Sequence, residues 1–302
     1  MIKRIDDIGD DELRVIGHKA AQTPQDTGHS NKPWLWILLA AVLLMIAAVI
    51  ALLYSRPGKV EETTTELQEA IYDPKPEEPE LGPIEPLGNY TADSTLGGYT
   101  EHLKMTINDI RLHVYIPHNA VPELMVGTPD IYDKSIVLTT QAADIRADNG
   151  KIVGAFVLKG EPLSWGLSKK GYCGIIDGQM TIGVTEDSPL FERATETGGY
   201  FFRQYPLVDN GRLVENELKG KSVRKALCDR NGEILVVMTD TTESLHDFAQ
   251  ALVDMRVNNA VYLVGSTSYG YFRDKFDHFT QIYEKRRGGQ KFENFVVWRK
   301  KE

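Results

Sequence analysis

Apolar and polar positions between Arg224 and Asp274 change period twice, and the changes predict a strand, a helix and a second strand in that order. Ile234-Leu235-Val236-Val237-Met238 is a short β-branched run, the pattern of a strand buried on both faces. It follows Asn231-Gly232, a pair that accepts positive φ at both centres of a type I′ turn. Ser244 and Asp247 have capping-box spacing, which satisfies the orphan amides of a helix start. Leu245, Phe248, Ala249 and Leu252 then fall on one helical face. Asn258-Asn259 stops the helix, and Ala260 to Val264 reads as the second buried strand. Strand, helix, strand predicts parallel neighbours joined by a right-handed crossover. The loop Gly265-Ser266-Thr267-Ser268-Tyr269-Gly270 leaves the carboxyl end of that strand, where open α/β sheets bind their ligands.

Upstream, Leu103 to Ile116 alternates, with an apolar set from Ile110 onward, and predicts a half-buried strand with His113 on its exposed polar face. Ser135 to Arg146, preceded by Asp133, predicts a helix, and Ile152 to Val157 a strand. Asp177-Gly178 and Asn210-Gly211 predict tight turns. Phe292 to Trp298 is an apolar tail that either closes the sheet or meets a partner. The class expected is α+β: a mixed β-sheet domain with flanking helices, preceded by one transmembrane helix.

That helix is Trp34 to Tyr54, uninterrupted by charge and flanked by Trp34, Trp36 and Tyr54 as interfacial aromatics. A span needs about 20 apolar residues to cross a hydrocarbon core of about 30 Å. Residues 1–33 are polar, mixed in charge and without a core-forming pattern, so a disordered tail is expected there. Residues 55–96 form an acidic, Pro-rich linker whose spacing favours an extended spacer. The remaining residues, 97–302, make the globular domain. Lys19 and Lys32 precede the span and Arg56 and Lys59 follow it, so charge asymmetry does not orient it. Because everything globular follows the span, the expected arrangement is a single-pass anchor with a cytoplasmic N-terminus and an extracytoplasmic C-terminal domain.

Composition narrows the function. The 302 residues are 42% hydrophobic and 25% charged, and the net charge of −9 argues against nucleic acid as a partner. Lys285-Arg286-Arg287 reads as a solvated turn. Only Cys173 and Cys228 occur, either free thiols or, outside the cytoplasm, a disulfide. The His residues are scattered without zinc spacing, and no phosphate loop or nucleophile elbow occurs. No metal or cofactor is expected.

Several segments together resemble the phosphodiester glycosidase family. Arg224-Lys225-Ala226-Leu227-Cys228 stands where the family carries Arg-Thr-Ala-Ile-Gly, followed by Asp240 after a strand and by Leu263-Val264-Gly265-Ser266 in place of Leu-Asp-Gly-Gly. Ile152-Val153-Gly154-Ala155-Phe156 resembles Ile-Asn-Gly-Gly-Phe, and Gln204-Tyr205-Pro206 a segment with a Gln and a Pro before a strand. The resemblance implies a site that holds a phosphodiester with Arg224, assists at the anomeric carbon with Asp240, and contacts ligand through Gly154, Gly265, Ser266, Thr267 and Ser268. Glu161 and Asp177 are weaker acid candidates. Val153 and Val264 replace the family's Asn and Asp, and valine neither polarises nor donates. The expectation is a membrane-tethered domain that binds a glycan or phosphoglycan with weak or no catalysis. An active hydrolase of sugar-1-phosphodiesters and a structural envelope protein are the alternatives.

Overall fold

The structure, a computed structural model, describes Met45 and residues 82–90, 97–266, 268–283 and 292–301. The tail and span expected at residues 1–54, Met45 excepted, lie outside the described residues, as do Thr267 and Lys285-Arg286-Arg287. No helix among the described residues is long and apolar enough to cross a membrane.

In chain order the strands open with β1 (Tyr99–Ile107), β2 (Ile110–His118), β3 (Ala120–Val126), β4 (Ile136–Gln141), β5 (Ala155–Leu158), β6 (Glu161–Trp165), β7 (Gly171–Ile176) and β8 (Gln179–Val184). After helix α1 (Leu190–Thr197) come β9 (Tyr200–Gln204), β10 (Pro206–Asp209), β11 (Arg212–Leu213), β12 (Lys225–Arg230) and β13 (Glu233–Thr239). Helix α2 (Leu245–Asp254) is followed by β14 (Asn259–Leu263), β15 (Gly270–Arg273), β16 (Phe279–Tyr283) and β17 (Asn294–Lys300). Strand makes up 49% of the structure and helix 9%, which corrects the expected α+β class to a mostly-β one.

Three sheets result. The largest has the order β1-β2-β13-β12-β14-β10-β11, and the two others run β16-β15-β4-β17-β3 and β6-β5-β9-β7-β8. Every paired strand in them is antiparallel. The expected parallel neighbours β13 and β14 are therefore not neighbours: β12 lies between them and pairs antiparallel with both. The crossover helix forms as its sequence predicts, with Ser244 Oγ accepting from the Asp247 amide, but the hairpin partner of β13 occupies the slot beside it.

Alternation along the large sheet divides two cores. Ala226, Cys228, Leu235, Val237, Ala260 and Tyr262 face α2, whose Leu245, Phe248, Ala249 and Leu252 are buried against them. Leu227, Val236, Met238, Val261 and Leu263 face the opposite way, into a core shared with Phe156, Cys173 and Phe202 of one small sheet and Leu138, Val296 and Trp298 of the other. Cys173 and Cys228 sit on opposite sides of this division as free, buried thiols, which settles the alternative left open by their number. Burial pushes both thiols far up, out of the nucleophilic range.

Two local expectations are corrected. Ile136 to Gln141 is a central strand, not a helix, because β15 and β17 pair with it on both edges and its β-branched residues are buried on both faces. Leu103 to Ile116 is a hairpin, not one strand. Asn108 and Asp109 both take positive φ, 49° and 64°, as a two-residue I′ turn demands. The apolar positions change parity there, from Leu103, Met105 and Ile107 to Ile110, Leu112 and Val114, so all six reach the same core. The tail forms β17 between β4 and β3, closing its sheet. Part of the expected linker is also placed: the Leu87 and Gly88 amides donate to the Glu233 carboxylate, and Arg230 donates to Glu85 O.

Candidate functional site

The segment Ala142–Asp144, just past β4, ties together residues far apart in sequence. The Asn294 side-chain amide accepts from the Ala143 amide at 2.7 Å and donates to its carbonyl at 3.1 Å. Val264 N–H donates to Ala142 O at 3.3 Å, and Val153 N–H to Asp144 O at 2.8 Å. The two valines therefore converge on one segment. Beside them lies a buried polar group: Lys169, 1% exposed at its side chain, ion-pairs with Asp144 and donates to Gln204 Oε1 at 2.6 Å. Its ammonium also stands 4.4 Å from the centre of the Tyr205 ring.

A second set of groups lies across the large sheet. Register places Lys104, His113, Met238, Lys225 and Leu263 in one row, side by side on β1, β2, β13, β12 and β14. At the β1–β2 end this row opens into a cleft of about 230 Å³ lined by Lys104, Thr106, Arg111, His113 and Asp240 among others. Arg111 Nε donates to Asp240 Oδ2 at 2.8 Å. His113 Nε2 lies 3.3 Å from Asp240 Oδ1, and His113 Nδ1 lies 2.9 Å from His102 Nε2. The carboxylate can only accept, so His113 donates to Asp240 from Nε2. Arg111 first, then His113, holds the Asp240 carboxyl below the usual carboxylate range. Burial chiefly, then His113 and Lys104, pulls the His102 imidazole down to about 4, so it stays neutral near pH 7. The His102 ring stacks on Tyr115, 4.7 Å between centres, which seats the histidine pair on the core.

Similarity to solved structures is distant. The catalytic domain of zebrafish N-acetylglucosamine-1-phosphodiester alpha-N-acetylglucosaminidase, auto-inhibited by its pro-peptide, matches at 13% identity over 68% of this chain and 84% of that one, with a TM-score of 0.47. A hypothetical protein from Synechocystis matches at 14% identity over 67% of this chain and 62% of that one, with a TM-score of 0.48. No family model and no curated protein sequence matches the chain. The likeness is one of chain path, and the chemistry rests on the residues of this chain.

Of the residues expected at the site, Asp240 stands at the cleft, 42% exposed at its side chain. It does not cap α2, a place taken by Ser244. Arg224 is 2% exposed, and its fork is committed: Nε donates to Glu243 O at 3.0 Å and the NH2 group to Gly220 O at 2.8 Å. It pins the loop before α2 to the start of β12. Gly265 is required sterically, since a Cβ there would stand 2.6 Å from Val223 O. Gly154 takes φ +85° with a Cβ position 3.2 Å from Arg203 Cβ, so the close approach of β5 to β9 also needs glycine. Ser266 is exposed with φ 53°, and Ser268 is buried against Lys225. Glu161 opens β6 and Asp177 sits in the β7–β8 turn, both exposed.

Sequence reading gave no role to His102, Lys169, Asp144 and Lys225, and it placed on the exposed face His113, whose side chain is 17% exposed. A usable signal existed for two of them: a lysine inside an otherwise apolar strand, as at Lys225, and a histidine alternating with core residues, as at His113.

Proposed function

We propose that this protein holds an extracytoplasmic domain on a membrane through Trp34 to Tyr54 and binds a phosphorylated glycan at the Lys104–Arg111–His113–Asp240 cleft. The observation that carries the reading is the composition of the cleft. Two permanent cations and an imidazole surround one carboxylate on an exposed sheet edge. Arg111 commits only Nε to Asp240, and its terminal nitrogens have no protein partner among the described residues, which leaves a fork for a phosphate. The Asp240 carboxylate can accept from sugar hydroxyls, and the Lys104 ammonium can donate to them. Binding without turnover is favoured because the Asp240 carboxyl is held ionised and so cannot protonate a leaving group near neutral pH. Val153 and Val264, meeting at the Ala142–Asp144 segment, add no acid or base there.

Calorimetric titration of the full-length protein with N-acetylglucosamine 1-phosphate is expected to saturate, while N-acetylglucosamine alone does not. Arg111→Ala is expected to weaken binding about tenfold, roughly 1.4 kcal/mol, and to flatten its salt dependence. Equal affinity for both sugars, or no saturation by either, would sink the reading. The tethering is checked separately: a reporter fused after Glu302 that needs export is expected to be active, and activity of a cytoplasm-only reporter there contradicts it.

A further inference from the structure

Lys225 and Ser268 form a pair that the binding reading does not use. Lys225 is 1% exposed, on the face of β12 that turns into the core between the sheets. Its Nζ lies 2.7 Å from Ser268 Oγ and 2.9 Å from Ser268 O. No carboxylate pairs with it among the described residues. The groups facing it are Met238 from β13, Leu263 from β14 and the Tyr283 ring of β16, 5.2 Å from Nζ. Ser268 Oγ also lies 2.6 Å from Val264 O, which takes its proton while the lysine is charged.

A buried lysine is usually matched by a carboxylate, and one that is matched keeps its proton. Lys225 is instead matched by a hydroxyl. Burial pulls its amine down to about 7, so a large share of the molecules carry a neutral amine at physiological pH. A neutral Nζ donates to Ser268 O and accepts from Ser268 Oγ–H, which is the arrangement that activates a hydroxyl nucleophile. Two further observations frame the pair. Gly265, which starts the loop, cannot carry a side chain, and Ser266 N–H is anchored to Val223 O at 2.7 Å. The loop therefore presents Ser268 to Lys225 from a fixed base at the carboxyl end of β14.

We propose that Ser268 and Lys225 act as nucleophile and general base in the hydrolysis of a carboxylic ester. Ser268 Oγ bonds to the acyl carbon as its proton passes to Lys225 Nζ. The carbon–alkoxy bond then breaks, and the leaving alcohol takes that proton from Nζ. Water attacks the acyl-serine, giving one proton to Nζ. The carboxylic acid departs as Ser268 Oγ recovers the proton from Nζ. Nothing is oxidised or reduced, and the net change is ester plus water to acid plus alcohol. The uncharged ester is chosen over a phosphodiester for an electrostatic reason. An anion beside Nζ would restore the ammonium and remove the base, whereas an acyl carbonyl leaves the amine neutral. This activity does not depend on the ligand proposed for the cleft.

The test treats the full chain with a fluorophosphonate, which bonds to activated serines, and locates the adduct by peptide mass spectrometry. One adduct is expected, on Ser268, forming about tenfold faster per pH unit up to about pH 7 and levelling above it. Lys225→Met and Lys225→Arg are both expected to slow it at least about tenfold, because neither side chain can accept a proton. Hydrolysis of 4-nitrophenyl acetate is expected to be lost in Ser268→Ala. Absence of the Ser268 adduct in protein that melts cooperatively overturns the proposal. So does labelling unchanged in a folded Lys225→Met variant, or ester hydrolysis retained in Ser268→Ala.

Discussion

Lys225→Met is expected to raise the stability of the protein at pH 7 and to lower it at pH 10. Burial pulls the folded-state value of this amine from 10.5 to about 7, below its value in the unfolded chain. Below pH 7 both states hold the proton, and the folded state bears the full cost of a buried charge. Between about 7 and 10.5 the unfolded chain still holds the proton that the folded one has released, so stability rises with pH across that window. The gap corresponds to roughly 5 kcal/mol. Methionine removes the charge but leaves Ser268 O without its donor, at about 1–3 kcal/mol. A net gain of about 2–4 kcal/mol near neutrality follows, turning into a loss of about 1–3 kcal/mol once the wild-type amine is neutral. Urea unfolding of both proteins from pH 6 to pH 10 measures it. Parallel stability curves would show that Lys225 does not carry the buried charge.

Asp144→Ala is expected to cost about 3–5 kcal/mol, because it removes the carboxylate that pairs with the buried Lys169 ammonium. The double variant Asp144→Leu with Lys169→Met should recover most of that loss, since the desolvation cost and the attraction disappear together. Thermal or urea unfolding of the two single variants and the double one closes the cycle. An Asp144→Ala loss under about 1 kcal/mol would mean that water reaches Lys169 and the network does not hold the sheets together. The pair matters beyond its own energy. Asp144 O receives Val153, Ala142 O receives Val264, and Asn294 clamps Ala143 between them, so disturbing Asp144 loosens three strand ends at once.

Legibility divides by distance along the chain. Asn231-Gly232, Asp177-Gly178 and Asn210-Gly211 all adopt positive φ at both residues, as their chemistry requires. Ser244 caps α2 and the helix buries the face its period marked. The strands around it start and end within a residue of the expected runs. Each of these depends on neighbours a few residues away. Misreadings arose where a partner outvoted the local pattern. Ile136 to Gln141 carries no turn or cap that forbids a helix, and it is a strand because β15 and β17 lie on either side of it. Asn108-Asp109 lacks the glycine that marks the three turns above, so only the parity change betrayed it.

The candidate site was legible as residue types and not as an assembly. Asp240 was singled out, but its partners Arg111 and His113 lie 129 and 127 residues away, and no periodicity records such a pairing. Arg224 had the right chemistry for a phosphate, yet the Glu243 and Gly220 carbonyls, in two different loops, take its Nε and one terminal nitrogen. Ser268 appeared as one hydroxyl among several, while its relation to Lys225 spans 43 residues. By itself the sequence determined the turns, the helix cap, the buried runs and the single long apolar stretch near the N-terminus, all set by steric and solvation rules that act locally. Only the tertiary structure decided that β12 separates β13 from β14, which valines meet, and which lysine faces a carboxylate and which a serine. Those outcomes rest on backbone pairing and desolvation between distant segments, whose energies exist only once the sheets have formed.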